Sequence, residues 1–198
     1  ARGQSRPRVW KPYAVVTIAG GTLGILGLGA IGSAVAEKAS ALGMRVIGTQ
    51  REPKATPHVE RVFAGDGTQA VLRESDFVVV LLPLTPRTRG SLGAVELGWI
   101  RPSSYLVNLA RGGIVDEDAL AAALRAGRLA GAALDVFAEE PLPATSPLWS
   151  APNTILTPHV SGLGPGYMDR LTEIFAENLQ RIETGRPLRN EVDRARGY

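Results

Sequence analysis

The sequence predicts an α/β fold: a doubly wound, Rossmann-like parallel sheet of about seven strands with helices on both faces. Three observations predict it. From Thr22 onward, short apolar runs alternate with amphipathic stretches. The runs are apolar along their length instead of at every second residue, as strands buried on both faces require. The first run also leads through Gly27-Leu28-Gly29-Ala30-Ile31-Gly32 into a helical stretch.

The elements follow in order. TLGILGLG (22–29) reads as a buried strand that turns into a helix near Ala30. That helix runs through AVAEKASALG and stops at Gly43, a residue suited to the left-handed backbone that closes helices. MRVIGT is a second strand and VERVF a short third, followed by a weak helix in TQAVLRES. DFVVVLLP is a β-branched fourth strand, stopped by Pro83. A helix through GAVELGWI leads to the fifth strand, SYLVNLA. DEDALAAALRAGRL opens with three acids at a helix N-terminus, where the macrodipole favours them. GAALDVF and NTILTP are the sixth and seventh strands, and a closing helix covers roughly Tyr167 to Glu183. The expected division is an N-terminal arm or linker over 1–21, the sheet domain over 22–166, and a C-terminal helix and tail over 167–198.

Composition narrows the classes. A chain of 198 residues, 44% hydrophobic and 21% charged, suits a soluble globular domain. No apolar run approaches a membrane span, and residues 1–21 lack a signal-peptide layout. The absence of cysteine excludes disulfide and thiol chemistry and fits a reducing, cytoplasmic location. With two histidines and no cysteine, no metal site is expected. A net charge of +3 could suggest nucleic acid, but the densest positive group (Arg2, Arg6, Arg8, Lys11) lies in an irregular stretch that reads as a solvated arm. Neither a nucleic-acid nor a membrane partner is expected.

The glycine motif specifies a nucleotide. Gly27 permits a tight turn, Gly29 lets the backbone approach a pyrophosphate, and Gly32 lets helix and strand pack closely. The amides of Ala30 and Ile31 would point at phosphate from the helix N-terminus. The second strand of such a unit usually ends in an acid that holds the ribose hydroxyls; here that position is Gln50, followed by Arg51. A neutral amide removes repulsion toward a 2′-phosphate and a guanidinium can bind it, so NADP is the expected cofactor and NAD the alternative.

Three further residues suggest a reaction. Arg111, Glu140 and His159 each follow an apolar run and precede Gly or Pro, which places them on loops beyond the C-terminal ends of strands. A cation that cannot lose its charge, a carboxylate and an imidazole could together bind and reduce a 2-keto acid.

These residues carry a resemblance. TLGILGLGAIGSAVAEKASALGMRVIG, SDFVVVLLPLTPRTRG, LVNLARGGIVDEDALAAALRAGRLAGAALDVFAEEPLP and NTILTPHVSG resemble, in order and spacing, the D-isomer-specific 2-hydroxyacid dehydrogenases. This family includes glyoxylate/hydroxypyruvate reductases. The resemblance implies hydride transfer between NAD(P)H and a small 2-keto or D-2-hydroxy acid, with Arg111, Glu140 and His159 catalytic. Of the pair Glu139-Glu140, the residue before Pro141 fits the family pattern. It also implies that Leu82, Pro83 and Thr88 line the adenosine and phosphate side, and that Leu109 and Ala110 face the nicotinamide half. Asp135 would hold the carboxamide, and Ser161 and Gly162 would close over the ring.

Relatives that act as cofactor-sensing corepressors supply a rival reading, and formate dehydrogenase, another relative, pairs its histidine with Gln where this chain has Glu140. Family members dimerise through the nucleotide domain, for which Trp10 and Tyr13 are candidate anchors. They also carry a substrate domain, mostly before the first sheet strand, where this sequence has 21 residues. The expectation is therefore a cofactor-side fragment that binds nucleotide and turns over little substrate alone.

Overall fold

The computed structural model describes residues 15–195 and 197; Trp10 and Tyr13 lie outside the described residues. Seven strands form one sheet: β1 (Thr22–Leu26), β2 (Arg45–Thr49), β3 (Arg61–Phe63), β4 (Phe77–Val80), β5 (Tyr105–Asn108), β6 (Gly131–Leu134) and β7 (Thr154–Leu156). All neighbours pair in parallel, in the order β3-β2-β1-β4-β5-β6-β7. Chain order therefore reverses between β1 and β4, which creates the crevice where such sheets hold ligands. The helices are α1 (Ala30–Ala41), α2 (Thr68–Glu74), α3 (Ala94–Leu97), α4 (Glu117–Arg125) and α5 (Tyr167–Glu183).

Strand register sorts side chains into two layers. Val78, Leu106 and Ala132 are paired neighbours on β4, β5 and β6, and they join Leu72 of α2, Leu97 of α3 and Leu120 of α4 in the larger core. The opposite face holds Ile25, Val79, Val107, Ala133 and Ile155, one from each strand across β1, β4, β5, β6 and β7. Ala36 and Ala39 of α1 cover the β1 end of that row. Exposure rises along it, from 0% at Ile25 and 8% at Val79 to 64% at Ile155. Helices do lie on both faces, but the α1 face stays open beyond β5.

Some elements are shorter than the sequence pattern predicts. The fourth strand leaves the sheet after Val80; only one further bond, from the Leu81 N–H to the Leu26 carbonyl, continues the ladder before Pro83, which has no N–H to donate. The helix expected through GAVELGWI is the single turn α3. Glu96 caps it by accepting the Gly93 N–H at 3.0 Å, and Gly98, a weak helix former, closes it. By contrast, α5 has the predicted bounds but buries no residue. No helix among the described residues is long and apolar enough to cross a membrane.

The two layers predict different responses to truncation. Leu106→Ala should cost about 2–5 kcal/mol of unfolding free energy, as expected for a fully buried leucine. Ile155→Ala should stay within about 0.5 kcal/mol of the parent, as for an exposed site. Urea denaturation of both variants checks the contrast.

Candidate functional site

The glycine turn forms as the motif requires. Gly27 has φ 106°, and a Cβ there would press against the Leu81 carbonyl, so only glycine joins β1 to α1 at this spacing. A Cβ at Gly32 would overlap the Gly27 carbonyl. Above Gly29 the situation reverses: an added Cβ would meet nothing within 4 Å. Gly29 is the N-cap of α1 and provides no side-chain cap, so the first amides, including those of Ala30 and Ile31, face open space with the positive end of the helix behind them. A pyrophosphate fits this cradle.

The end of β2 is laced to the turn. The Gly27 N–H donates to Thr49 Oγ1 at 3.3 Å, and the Leu28 N–H to the Thr49 carbonyl at 2.8 Å. Gln50 adds a third link, its Nε2 donating to the Leu28 carbonyl at 3.0 Å, while its Oε1 accepts the Lys54 N–H at 3.2 Å. Arg51 lies on the short loop so closed, with Nε 3.6 Å from Glu52 Oε1.

Across the crevice, Leu82 and Pro83 follow β4. Thr88 Oγ1 donates to the Pro83 carbonyl at 2.6 Å and accepts the Thr85 N–H at 2.8 Å, so this hydroxyl shapes its own loop. A cavity of about 310 Å³ opens beside Leu82, bounded by Leu26, Asp66, Gln69, Glu96 and Trp99.

The candidate catalytic residues come from three strand-end loops. After β5, Asn108 Oδ1 accepts the Ala110 N–H at 3.1 Å, which bends the chain so that Leu109 is 37% exposed and Ala110 is buried. Arg111 follows, its Nη1 donating to the Ala110 carbonyl at 2.7 Å. After β6, Glu140 Oε1 accepts the Phe137 N–H at 2.9 Å. Its other oxygen, Oε2, lies 2.8 Å from His159 Nδ1. The histidine holds the Glu140 carboxyl below its usual range, with the Phe137 amide assisting. An ionised carboxylate can only accept, so Nδ1 carries the hydrogen of this bond and Nε2 takes no part in it.

Asp135 fastens the third loop. It is 1% exposed, and its Oδ1 accepts the Thr157 hydroxyl at 2.5 Å and the Val160 N–H at 2.9 Å. Oδ2 accepts the Ser161 N–H at 2.8 Å, and the Asp135 carbonyl takes the His159 N–H at 2.8 Å. Burial alone would raise this carboxyl, but the bonds from Thr157, Ser161 and Val160 outweigh it and hold the group well below the ordinary carboxylate range. His159 sits at φ 53°, a left-handed conformation costly for a non-glycine residue, and these bonds keep it there. At Gly162, next in line, an added Cβ would meet nothing within 4 Å.

The structure thus brings Glu140, His159, Asp135 and Ser161 together and joins Gln50 to the glycine turn. Arg111 enters through its neighbour: a Cβ at Gly112 would overlap the Phe137 carbonyl, so the arginine loop packs directly on the loop that leads to Glu140.

One participant was not singled out from sequence. Glu117, the first residue of α4, accepts the Ala138 N–H at 2.6 Å and so holds the Glu140 loop from the other side. Burial raises its carboxyl, and the charges of Asp118, Asp116 and Glu140 push the same way against the Ala138 bond. In sequence it reads as one of three acids at a helix start, with nothing to mark it as the inward-facing one.

Fold and site together define a dinucleotide-binding domain with a hydrogen-bonded histidine–carboxylate pair at its sheet edge. The D-isomer specific 2-hydroxyacid dehydrogenase NAD binding domain matches residues 1–161, and the chain belongs to that family. It is 40% identical over 192 residues to the glyoxylate/hydroxypyruvate reductase A of Escherichia fergusonii, covering 96% of this chain and 60% of that protein. A D-isomer specific 2-hydroxyacid dehydrogenase from Xanthobacter autotrophicus Py2, solved with NADPH and MES, superposes with a TM-score of 0.87 at 42% identity, covering 96% of this chain and 77% of that one. An NADPH-dependent glyoxylate/hydroxypyruvate reductase from Sinorhizobium meliloti, solved with NADP and sulfate, also gives 0.87, at 35% identity over 96% of this chain and 60% of the other. The chain therefore spans about 60% of the length of the reductases it matches.

The two loop-holding carboxylates predict opposite pH signatures. The folded pKa of Glu117 is raised, so its contribution is fully present below about 4.5, the ordinary glutamate value, and is lost as pH rises through the folded value. Glu117→Gln should therefore gain on the parent between acid and neutral pH. The folded pKa of Glu140 is lowered, so its contribution is present above about 4.5 and is lost as pH falls through the folded value. Glu140→Gln should lose most against the parent at neutral pH and approach it in acid. Unfolding free energies measured from pH 3 to 8 check the two slopes.

Proposed function

We propose that this chain is the cofactor-binding part of an NADPH-dependent reductase that converts a small 2-keto acid into a D-2-hydroxy acid. The observation that carries the reading is the 2.8 Å bond between His159 and Glu140, on the sheet edge that also bears the glycine turn. The relatives solved with NADPH and NADP support the cofactor, and the named reductases support the substrate class. The division suggested is an arm over 1–21 that joins a substrate domain, the Rossmann domain over 22–166, and a tail over 167–198 that returns toward the substrate domain.

The Gly27–Gly32 turn would hold the nucleotide, whose chemistry when bound would be hydride transfer to the carbonyl carbon. This chain must then manage the charge that develops on the carbonyl oxygen. Arg111 exchanges its bond to the Ala110 carbonyl for the substrate, binding the carboxylate and polarising the keto oxygen without loss of charge. His159 donates the proton from Nε2, while Glu140 orients the ring through its bond to Nδ1. In the oxidation direction the same nitrogen is the base. Leu109, Ala110, Ser161 and Gly162 flank the nicotinamide half, Leu82, Pro83 and Thr88 the adenosine half, and Arg51 the 2′-phosphate. Asp135, whose Oδ2 accepts the Ser161 N–H, would hold the carboxamide in this reading. The working form in this reading is a cytoplasmic homodimer joined through the nucleotide domain, and sedimentation of the chain tests the dimer.

Two measurements test the proposal. In the whole protein, His159→Ala should lower turnover of glyoxylate or hydroxypyruvate by about 10²–10⁴-fold, the usual worth of a general acid. Near-normal turnover overturns the catalytic assignment. Titration calorimetry of the chain should show tighter binding of NADPH than of NADH, and Arg51→Ala should narrow the gap. Tighter NADH binding in the parent overturns the cofactor reading.

A further inference from the structure

The position that closes β2 does more than lack a charge. Gln50 uses both ends of its amide: Nε2 donates to the Leu28 carbonyl inside the glycine turn, and Oε1 accepts the backbone N–H of Lys54. The bonds span 22 residues in one direction and 4 in the other. One side chain therefore ties the pyrophosphate cradle to the four-residue loop that carries the cations Arg51 and Lys54. The Gln50 backbone is itself pinned, its N–H donating to the Phe63 carbonyl at 2.9 Å, so the clasp has a fixed base.

We propose that Gln50 is a positioning residue for cofactor selection: it sets the Arg51–Lys54 loop at a fixed distance from the pyrophosphate cradle, so that cations meet a 2′-phosphate while the cradle holds the diphosphate. The inference rests on the NADPH reading above and deepens it. With its amide committed to Leu28 and Lys54, Gln50 acts through the backbone of the loop. A carboxylate of the same length cannot make the first of these bonds, because an ionised oxygen would face the Leu28 carbonyl oxygen. Glutamate at this position would therefore open the clasp as well as repel the phosphate. Alanine would open the clasp alone, which separates the two effects.

The test is a double-mutant cycle on the 198-residue chain, read by equilibrium binding of NADPH, NADH and adenosine 2′,5′-bisphosphate. Gln50→Ala should weaken NADPH and the bisphosphate by about tenfold, the scale of one or two lost hydrogen bonds, and NADH by about threefold or less. Gln50→Glu should weaken NADPH further. In an Arg51→Ala background, Gln50→Ala should add much less than it does alone, because the loop it positions has lost a cation. Far-ultraviolet circular dichroism confirms that each variant is folded. If Gln50→Ala lowers NADPH and NADH affinity by the same factor, the residue serves only the glycine turn and the proposal fails. Full additivity with Arg51→Ala, or an unchanged NADPH to NADH ratio, overturns it equally. Failure of the underlying cofactor reading looks different, since the unmutated chain itself would then show no preference for NADPH.

Discussion

A buried negative charge, bonded on both of its oxygens, organises the edge of the sheet that carries His159 and Glu140. Asp135 is almost wholly withdrawn from water, which costs several kcal/mol unless the charge is fully bonded. Here the Thr157 hydroxyl and the Val160 and Ser161 amides satisfy it, all from the loop that follows β7. That loop cannot lift away without stranding the carboxylate. The left-handed turn at His159 is held for the same reason, and the imidazole is thereby delivered to Glu140.

From this anchor the sheet edge divides into two laced halves. On one side the loops after β5, β6 and β7 form a single unit: Gly112 lies against the Phe137 carbonyl, Glu117 and Glu140 hold successive amides at Ala138 and Phe137, and Glu140 meets His159. On the other side Thr49 and Gln50 bind the end of β2 to the glycine turn. At the switch point β1 and β4 pair along their length, and the bond from the Leu81 N–H to the Leu26 carbonyl is the last of that ladder before the crevice opens. A ligand lying across the crevice would touch both halves, which is how a fold with one rigid sheet can bring a nucleotide beside the His159–Glu140 pair.

Much of this was legible in the sequence because it rests on local pattern. The continuous apolar runs announced parallel strands, and Gly27, Gly29 and Gly32 announced the turn. The closing helix read over roughly Tyr167 to Glu183 forms with those bounds. Arg111, Glu140 and His159 were visible as loop residues beyond strand ends. What stayed hidden depends on long-range contacts. Nothing near Glu117 says that its partner is Ala138, and the Gln50 clasp needs the Leu28 carbonyl, which only the paired β1 and β2 bring close. The brevity of α3 was hidden too, because the apolar spacing of GAVELGWI matches a helix while Gly98 ends it after one turn. The open face over β7 was equally unreadable. Ile155 has the same character as Ile25, and only the sheet order reveals that α1 reaches one and not the other.

The helix α5 carries a different consequence. Its apolar residues Met168, Leu171, Phe175, Leu179 and Ile182 recur at helical spacing and all remain exposed. Its internal support is local, from Glu177 to Arg181 and Arg189 and from Asn178 to the Arg189 backbone. A segment of 17 residues held mainly by its own hydrogen bonds lies near the margin where isolated helices persist in water. Little of its stability is therefore borrowed from the sheet, and its backbone amides should exchange through local opening while those of β1, β4 and β5 wait for global unfolding.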